Sequence, residues 1–191
     1  MKKMILVALI ALALIVPAAA QLRFDVGLYK PLGISITNLP EADSELKTLS
    51  EGMAQQIWLM LPEVRLSYQL DLEPLPLKIG FGARGFSFIV VGAGWPNVFA
   101  ELELGPLFVD AQIGGLLFGY YALNTFGGDF GNVFIPDLSA WYGFGQKKNF
   151  RIGGGITMFY APDFTNELAD ATGRTMIPFL YYISGKFAIE P

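Results

Sequence analysis

Glu101 and Glu103 stand two residues apart in Val98-Phe99-Ala100-Glu101-Leu102-Glu103-Leu104. A pair of carboxylates is the equipment of glycoside hydrolysis, which needs them in an open cleft. On an extended chain both project from one face. That face also collects Arg and Lys from other segments, which suits a salt-bridge network better than a cleft. A second stretch, Gly80-Phe81-Gly82-Ala83-Arg84-Gly85, matches G-x-G-x-x-G. A dinucleotide site would need a helix to start there. The next residues, Phe86-Ser87-Phe88-Ile89-Val90-Val91-Gly92, have the character of a strand instead. Glycines facing a narrow interior, leaving room for Arg and aromatic side chains opposite, account for the motif.

Acids also gather outside the patterned segments, at Glu41, Asp43, Glu45, Glu51, Asp163, Glu167 and Asp170. Weak cation binding and a solvated loop surface are the two readings; the second is favoured, and no EF-hand spacing is present. The chain has no Cys and no His. Disulfides, thiolate metal sites, the commonest general base and the commonest metal ligand are thereby excluded. The sequence assigns no catalytic residue, no cofactor and no metal ligand.

The elements that position these residues are strands. Val64, Leu66, Tyr68, Leu70 and Leu72 alternate with Arg65, Ser67, Gln69 and Asp71; after the turn Glu73-Pro74-Leu75-Pro76, Leu77, Ile79, Phe81 and Ala83 alternate with Lys78, Gly80, Gly82 and Arg84. Period-two alternation on both sides of a proline-bearing turn is a hairpin with one apolar and one charged face. The same pattern fits a half-buried hairpin of a soluble barrel. Across the chain, strands are predicted over 22–30, about 58–72, 77–90, 98–104, 107–121, about 133–145, 150–160 and 176–189, which makes eight. Pro136 weakens the sixth and marks a bulge or a projecting upper end.

The connections at 31–57, 91–97, 122–132 and 161–175 are extended, and those between are tight turns. In an up-and-down barrel this puts every tight turn and both chain ends at one rim and the loops at the other. Within 31–57, Leu46, Leu49, Met53 and Ile57 recur at helical spacing, and Gly33 to Thr37 has strand character.

The charges sort by face. Arg23, Arg65, Lys78, Arg84, Arg151 and Lys186, with Asp25, Asp71, Glu101, Glu103, Asp110 and Asp137, share the non-apolar face. No charge falls on the other face within the strand cores. Balanced charge on one face predicts a closed internal network, because an unpaired charge in a narrow lumen is costly. A soluble ligand-binding barrel needs the reverse, an apolar lumen and a solvated exterior. Leu66, Leu70, Ile79, Leu102, Val109, Ile113 and Ile152 are then expected to touch lipid. Tyr29, Trp58, Tyr68, Trp95, Tyr120, Tyr121, Trp141, Tyr142, Tyr160, Tyr181 and Tyr182 lie toward strand ends and suggest interface belts.

Composition agrees. Hydrophobic residues make up 53% and charged residues 16%, yet after the N-terminus no apolar run is long enough for a spanning helix. Met1-Lys2-Lys3, an apolar core from Met4 to Val16, and Ala18-Ala19-Ala20 read as a cleaved signal over residues 1–20; the alternative is a retained anchor. Removing Lys2 and Lys3 moves the formal net charge from −4 to −6, and nucleic acid is not an expected partner.

With these features the chain resembles the small eight-stranded bacterial outer-membrane barrels of the OmpA-barrel, OmpX and OmpW group. The resemblance covers residues 21–191 and is architectural. It implies an all-β, eight-stranded antiparallel up-and-down transmembrane barrel in the bacterial outer membrane. The partners it implies are outer-membrane lipid, the barrel-assembly machinery and an extracellular partner reached through 31–57 and 161–175. Such barrels end on an aromatic that the machinery recognises; here Phe187 is followed by Ala188-Ile189-Glu190-Pro191. Three roles stand open: a non-catalytic structural or surface-contact barrel, a small pore or conduit for hydrophobic molecules, and a soluble periplasmic ligand-binding barrel.

Overall fold

The computed structural model describes residues 21–36, 52, 60–88, 91–122, 126–162 and 177–189. Its eight strands, in chain order, are β1 (Gln21–Ile36), β2 (Leu61–Asp71), β3 (Leu77–Phe88), β4 (Val91–Leu104), β5 (Leu107–Ala122), β6 (Phe126–Phe144), β7 (Phe150–Met158) and β8 (Pro178–Ile189). Each pairs antiparallel with its neighbour, and β8 pairs with β1 to close the barrel. The expected signal segment 1–20, the helical spacing in 46–57 and the loop acids lie outside the described residues.

Closure imposes a stagger. Paired residues lead from Gln21 through Gln69, Gly80, Phe99, Gln112, Asp137, Thr157 and Leu180 back to β1 at Ile34. A path that re-enters the first strand so far along it requires strongly tilted strands and widens the barrel. The three tight turns, 72–76, 105–106 and 145–149, share one rim with both ends of the described barrel. Gly105 and Gly145 take left-handed φ values of 64° and 78°, which glycine adopts without steric cost.

Two expected connections are strand instead. Residues 91–97 belong to β4, and 122–132 fall largely within β6, so the described strands approach each other across 89–90 and 123–125. The alternation of connection lengths is therefore not kept along the chain; only 37–60 and 159–177 remain long. Glycine-rich segments read as loops because glycine favours strands weakly, but a ladder needs only backbone groups. Gly92 pairs with Ser87 and Tyr120, and Gly128 also pairs with Tyr120. The strand character of 33–36 is realised as the upper part of β1.

Two of the irregularities fall at prolines, which cannot donate to a ladder. The β4–β5 register shifts between Gly94 and Asn97, around Pro96, which has no N–H to donate. Pro136 interrupts the β6–β7 ladder above Asp137 without shifting it. The same register resumes at Phe134, whose N–H donates to the Tyr160 carbonyl at 2.7 Å. On β5 the register shifts between Gly115 and Leu117, with Leu116 at a φ of 57°. That bulge carries Leu116 to the exposed side and leaves Leu117, expected outward, half-buried.

The barrel is filled by pairing large inward side chains with glycines. A Cβ at Gly80 would lie 2.5 Å from the Phe99 ring, one at Gly114 2.6 Å from Trp95 Nε1, and one at Gly155 2.8 Å from the Tyr182 hydroxyl. The 80–85 motif thus lies inside a strand with no helix after it, and the cofactor reading has no structural counterpart. Gly80→Ala should destabilise the folded barrel by about 1–3 kcal/mol through overpacking. Gly85→Ala, where nothing lies nearer than 3.5 Å, should be close to neutral. Urea midpoints of the two variants in micelles check the contrast.

Candidate functional site

The interior of the barrel is the site, and its chemistry is electrostatic. Inward positions of β1, β2, β3, β4, β5, β6, β7 and β8 bring five cations and five anions out of solvent: Arg23, Arg65, Arg84, Arg151 and Lys186 with Asp25, Glu63, Glu101, Asp110 and Asp137. Among the described buried residues the formal charge therefore cancels.

The lower network centres on Glu101, which has no solvent exposure. Arg23 Nη1 donates to both of its oxygens at 3.0 Å, and Arg151 Nη1 donates to Oε2 at 2.8 Å. Arg23 Nε donates to Asp25 at 2.8 Å, and Lys186 Nζ lies 4.0 Å from the other Asp25 oxygen. Beside them Arg65 Nη1 donates to Asp110 at 2.9 Å, Gln112 donates to the same oxygen at 3.0 Å, and Asn97 donates to Gln112 at 2.8 Å. Aromatic faces cover several cations: Arg151 stands 3.7 Å over Phe108, Lys186 3.8 Å over Trp141 and Arg65 3.9 Å over Phe99. Such contacts are worth more where water is excluded.

The upper network centres on Arg84. Its Nε donates to Glu63 at 2.7 Å, and its Nη1 lies 3.3 Å from Asp137. Asp137 also accepts from the Tyr182 hydroxyl at 3.0 Å and from Thr157. Tyr29 stacks on Tyr182 with centroids 4.1 Å apart and meets Phe86 edge-on at 4.9 Å. Leu61, Phe86 and Leu180 pack against this layer, so the lumen becomes apolar toward the loop rim.

Of the twelve expected lumen charges, Arg23, Asp25, Arg65, Arg84, Glu101, Asp110, Asp137, Arg151 and Lys186 are buried together. Asp71, Lys78 and Glu103 are instead at the short-turn rim: Lys78 lies 4.0 Å from Asp71, and Lys148 Nζ donates to Glu103 at 2.6 Å. Glu101 and Glu103 share a face, but one is sealed between arginines and the other is half-exposed beside a lysine. They do not form a common cleft. Glu63 was missed, although its alternation with Arg65 in the same strand was the available signal. Asn97 was missed because its segment has the composition of a turn.

The outer wall is apolar. Leu66, Ile79, Val109, Ile113 and Ile152 are exposed on it, and Leu70 and Leu102 are half-buried. One charge departs from the expected charge-free face: Lys30 has outward parity on β1, at the end of the alternating segment 22–30. The aromatic belts also need correction. Tyr29, Trp95, Trp141 and Tyr182 are buried inside, and Gly114, Gly153 and Gly155 leave room for the last three rings. The outward row at the short-turn rim is Tyr142, Phe144, Phe150 and Phe187, with successive centroids 4.9, 5.7 and 4.9 Å apart. Trp58 and the side chains of Tyr120 and Tyr121 lie outside the described residues.

The fold and site define an eight-stranded antiparallel up-and-down barrel with an ion-paired interior and an apolar exterior. No protein-family model matches the chain, and no curated protein matches it. Among solved structures it is similar to the N-terminal β-barrel domain of Pseudomonas aeruginosa OprF, with 8% identity, a TM-score of 0.44, and 89% of this chain and 99% of that one covered. It is also similar to Neisserial surface protein A, at 8% identity and a TM-score of 0.43 over 88% and 96% of the two chains. Ail, the attachment invasion locus protein of Yersinia pestis, matches at 5% identity and a TM-score of 0.42 over 89% and 99%. These are small eight-stranded outer-membrane barrels, and the likeness is one of fold.

Removing Glu101 leaves Arg23 and Arg151 buried without their shared anion. Glu101→Ala should cost about 3–5 kcal/mol. Lys148→Ala breaks a rim pair whose side chains are each 31% exposed, and should cost at most about 1 kcal/mol. Urea titration of the two variants in the same detergent gives the comparison.

Proposed function

We propose that the chain is an integral outer-membrane β-barrel, non-catalytic, with a structural or surface-interaction role carried by its long connections. The observation that carries this reading is the outer wall. Every strand presents exposed large apolar side chains, among them Val26, Leu66, Phe81, Val98, Ile113, Leu138, Ile152 and Ile183. Soluble monomers rarely expose contiguous apolar surface on this scale, whereas a hydrocarbon-facing wall requires it. The aromatic row at the short-turn rim supports an interfacial girdle.

The interior weighs against the other two roles. Arg23, Arg65, Tyr29, Phe108, Gln69, Glu101 and Asp110 are fully buried side chains across the lumen, which supports a plugged barrel and not an open pore. Their charge disfavours an apolar ligand held along the barrel axis. On this reading residues 1–20 direct export, outer-membrane lipid and the barrel-assembly machinery are the necessary partners, and an extracellular partner would meet 31–57 and 161–175. Because 31–36 is strand, the first of these surfaces begins above β1.

An Arg scan along the exposed side of β5, at Leu107, Val109, Ala111, Ile113 and Leu116, tests the reading in lipid vesicles. Each Arg must leave water with no partner on the wall, at a cost of about 2–4 kcal/mol at mid-depth that falls toward the rims. A flat profile, or a stable monomer in buffer without detergent, would contradict an outer-membrane barrel.

A further inference from the structure

The aromatic girdle at the short-turn rim is interrupted. Tyr68 and Phe81 stack outside β2 and β3 with centroids 5.8 Å apart, and the row from Tyr142 to Phe187 crosses β6, β7 and β8. Between these groups the outward positions of β4 and β5 are aliphatic down to the turn. Ala100 pairs with Ala111, Leu102 with Val109 and Leu104 with Leu107. Leu104 and Leu107, at the tip, remain 52% and 50% exposed. With the stagger counted, Phe144 stands within about one residue step of Leu107 in height, and Leu104 lies nearer the end of the barrel. Aliphatic side chains thus occupy the level at which aromatics mark the headgroups elsewhere on the wall.

The turn itself is a second, independent observation. The other two turns at this rim carry charge, Glu73 in one and Lys147 with Lys148 in the other, whereas Gly105-Pro106 carries none. Pro106 has no N–H, and its carbonyl accepts from the Gly143 N–H at 2.7 Å. Glu103, the charge nearest the tip in sequence, accepts from Lys148 at the lumen mouth at 2.6 Å and does not face the wall. In hydrocarbon, backbone polar groups must find their partners within the protein, and Pro106 meets that condition.

We propose that the β4–β5 hairpin is immersed in lipid acyl chains to its tip, with hydrocarbon and not water against Leu104, Pro106 and Leu107. The proposal rests on the membrane-spanning reading above. The occupant follows from continuity: Leu107 extends the outward column of Val109, Ala111 and Ile113 with no polar side chain between them, and that column meets lipid on this reading. The edge of the bilayer is then uneven around the barrel. It reaches the rim at β4–β5 and stops at the aromatic row over β6, β7 and β8, a mismatch that tilt or a local change in bilayer thickness absorbs at modest cost.

The test uses Leu104→Cys, Leu107→Cys, Phe144→Cys and Lys147→Cys, each carrying a nitroxide, folded into phosphatidylcholine vesicles and checked by heat-modifiable migration. Oxygen concentrates in hydrocarbon and a nickel chelate stays in water, so the ratio of their collision rates orders the sites by depth. The oxygen-to-nickel ratio at Leu104 and Leu107 should exceed that at Phe144 severalfold, and Lys147 should give the lowest ratio. If the label at Leu104 blocks folding, Leu107 carries the comparison, being level with Phe144. Ratios at the tip equal to or below that at Phe144 overturn the proposal. Protection of the tip from both reagents also overturns it, because a second protein chain would then cover the hairpin. A nitroxide on Ile113→Cys is the reference for the membrane reading. Oxygen access there with a water-exposed tip defeats this inference alone, whereas nickel access there defeats the membrane reading beneath it.

Discussion

Glu101 held between Arg23 and Arg151 is the interaction on which the rest of the barrel depends. A carboxylate with no exposure is tolerated only when its partners are close and their geometry is fixed. Arg23 comes from β1, Arg151 from β7 and Glu101 from β4, so the network ties distant parts of the wall across the lumen. Asp25 and Lys186 extend it to β8, beside the seam where the sheet closes. Closure and ion pairing are thus one constraint: an open sheet would leave these charges without partners, and an apolar exterior leaves them nowhere else to go.

The second constraint is volume. The strand stagger makes an interior wide enough for guanidinium groups and large rings, and the sequence fills it by setting glycines beside aromatics. Phe99 is paired with Gly80, Trp141 with Gly153 and Tyr182 with Gly155. These rings then lie over cations or stack on each other, which shields the ion pairs from water and raises the electrostatic return on each contact. Glycine content, aromatic content and buried charge are therefore parts of one packing solution.

Much of this was legible in the alternation. Period two along 64–71 and 77–84 separates Arg65 and Arg84 from Leu66 and Ile79 without any knowledge of the fold, and the same rule placed nine buried charges on one face. It failed where the backbone departs from a regular ladder. Leu116 reverses the parity of β5 through a bulge that no residue type announces. Residues 91–97 and 122–132 look like loops, because glycine conceals strand character that only cross-strand partners supply. The aromatic belt was misplaced for a different reason. Ring-bearing residues near strand ends satisfy either an interface or a lumen, and the choice depends on the room left inside, such as Gly114 leaves for the Trp95 ring. Asp71, Lys78 and Glu103 obey the parity rule, but their depth along the strand, which decides burial, is set by the stagger.

The central claim is that the charged face points in and the apolar face meets lipid. The chain contains no cysteine, so single cysteines along β2 from Glu63 to Leu70 can each carry a nitroxide with no background. Oxygen collision rates measured in lipid vesicles should then oscillate with period two. The account predicts maxima at Val64, Leu66, Tyr68 and Leu70, with minima at Glu63, Arg65, Ser67 and Gln69. Maxima at Arg65 and Ser67, or a profile without alternation, would contradict it.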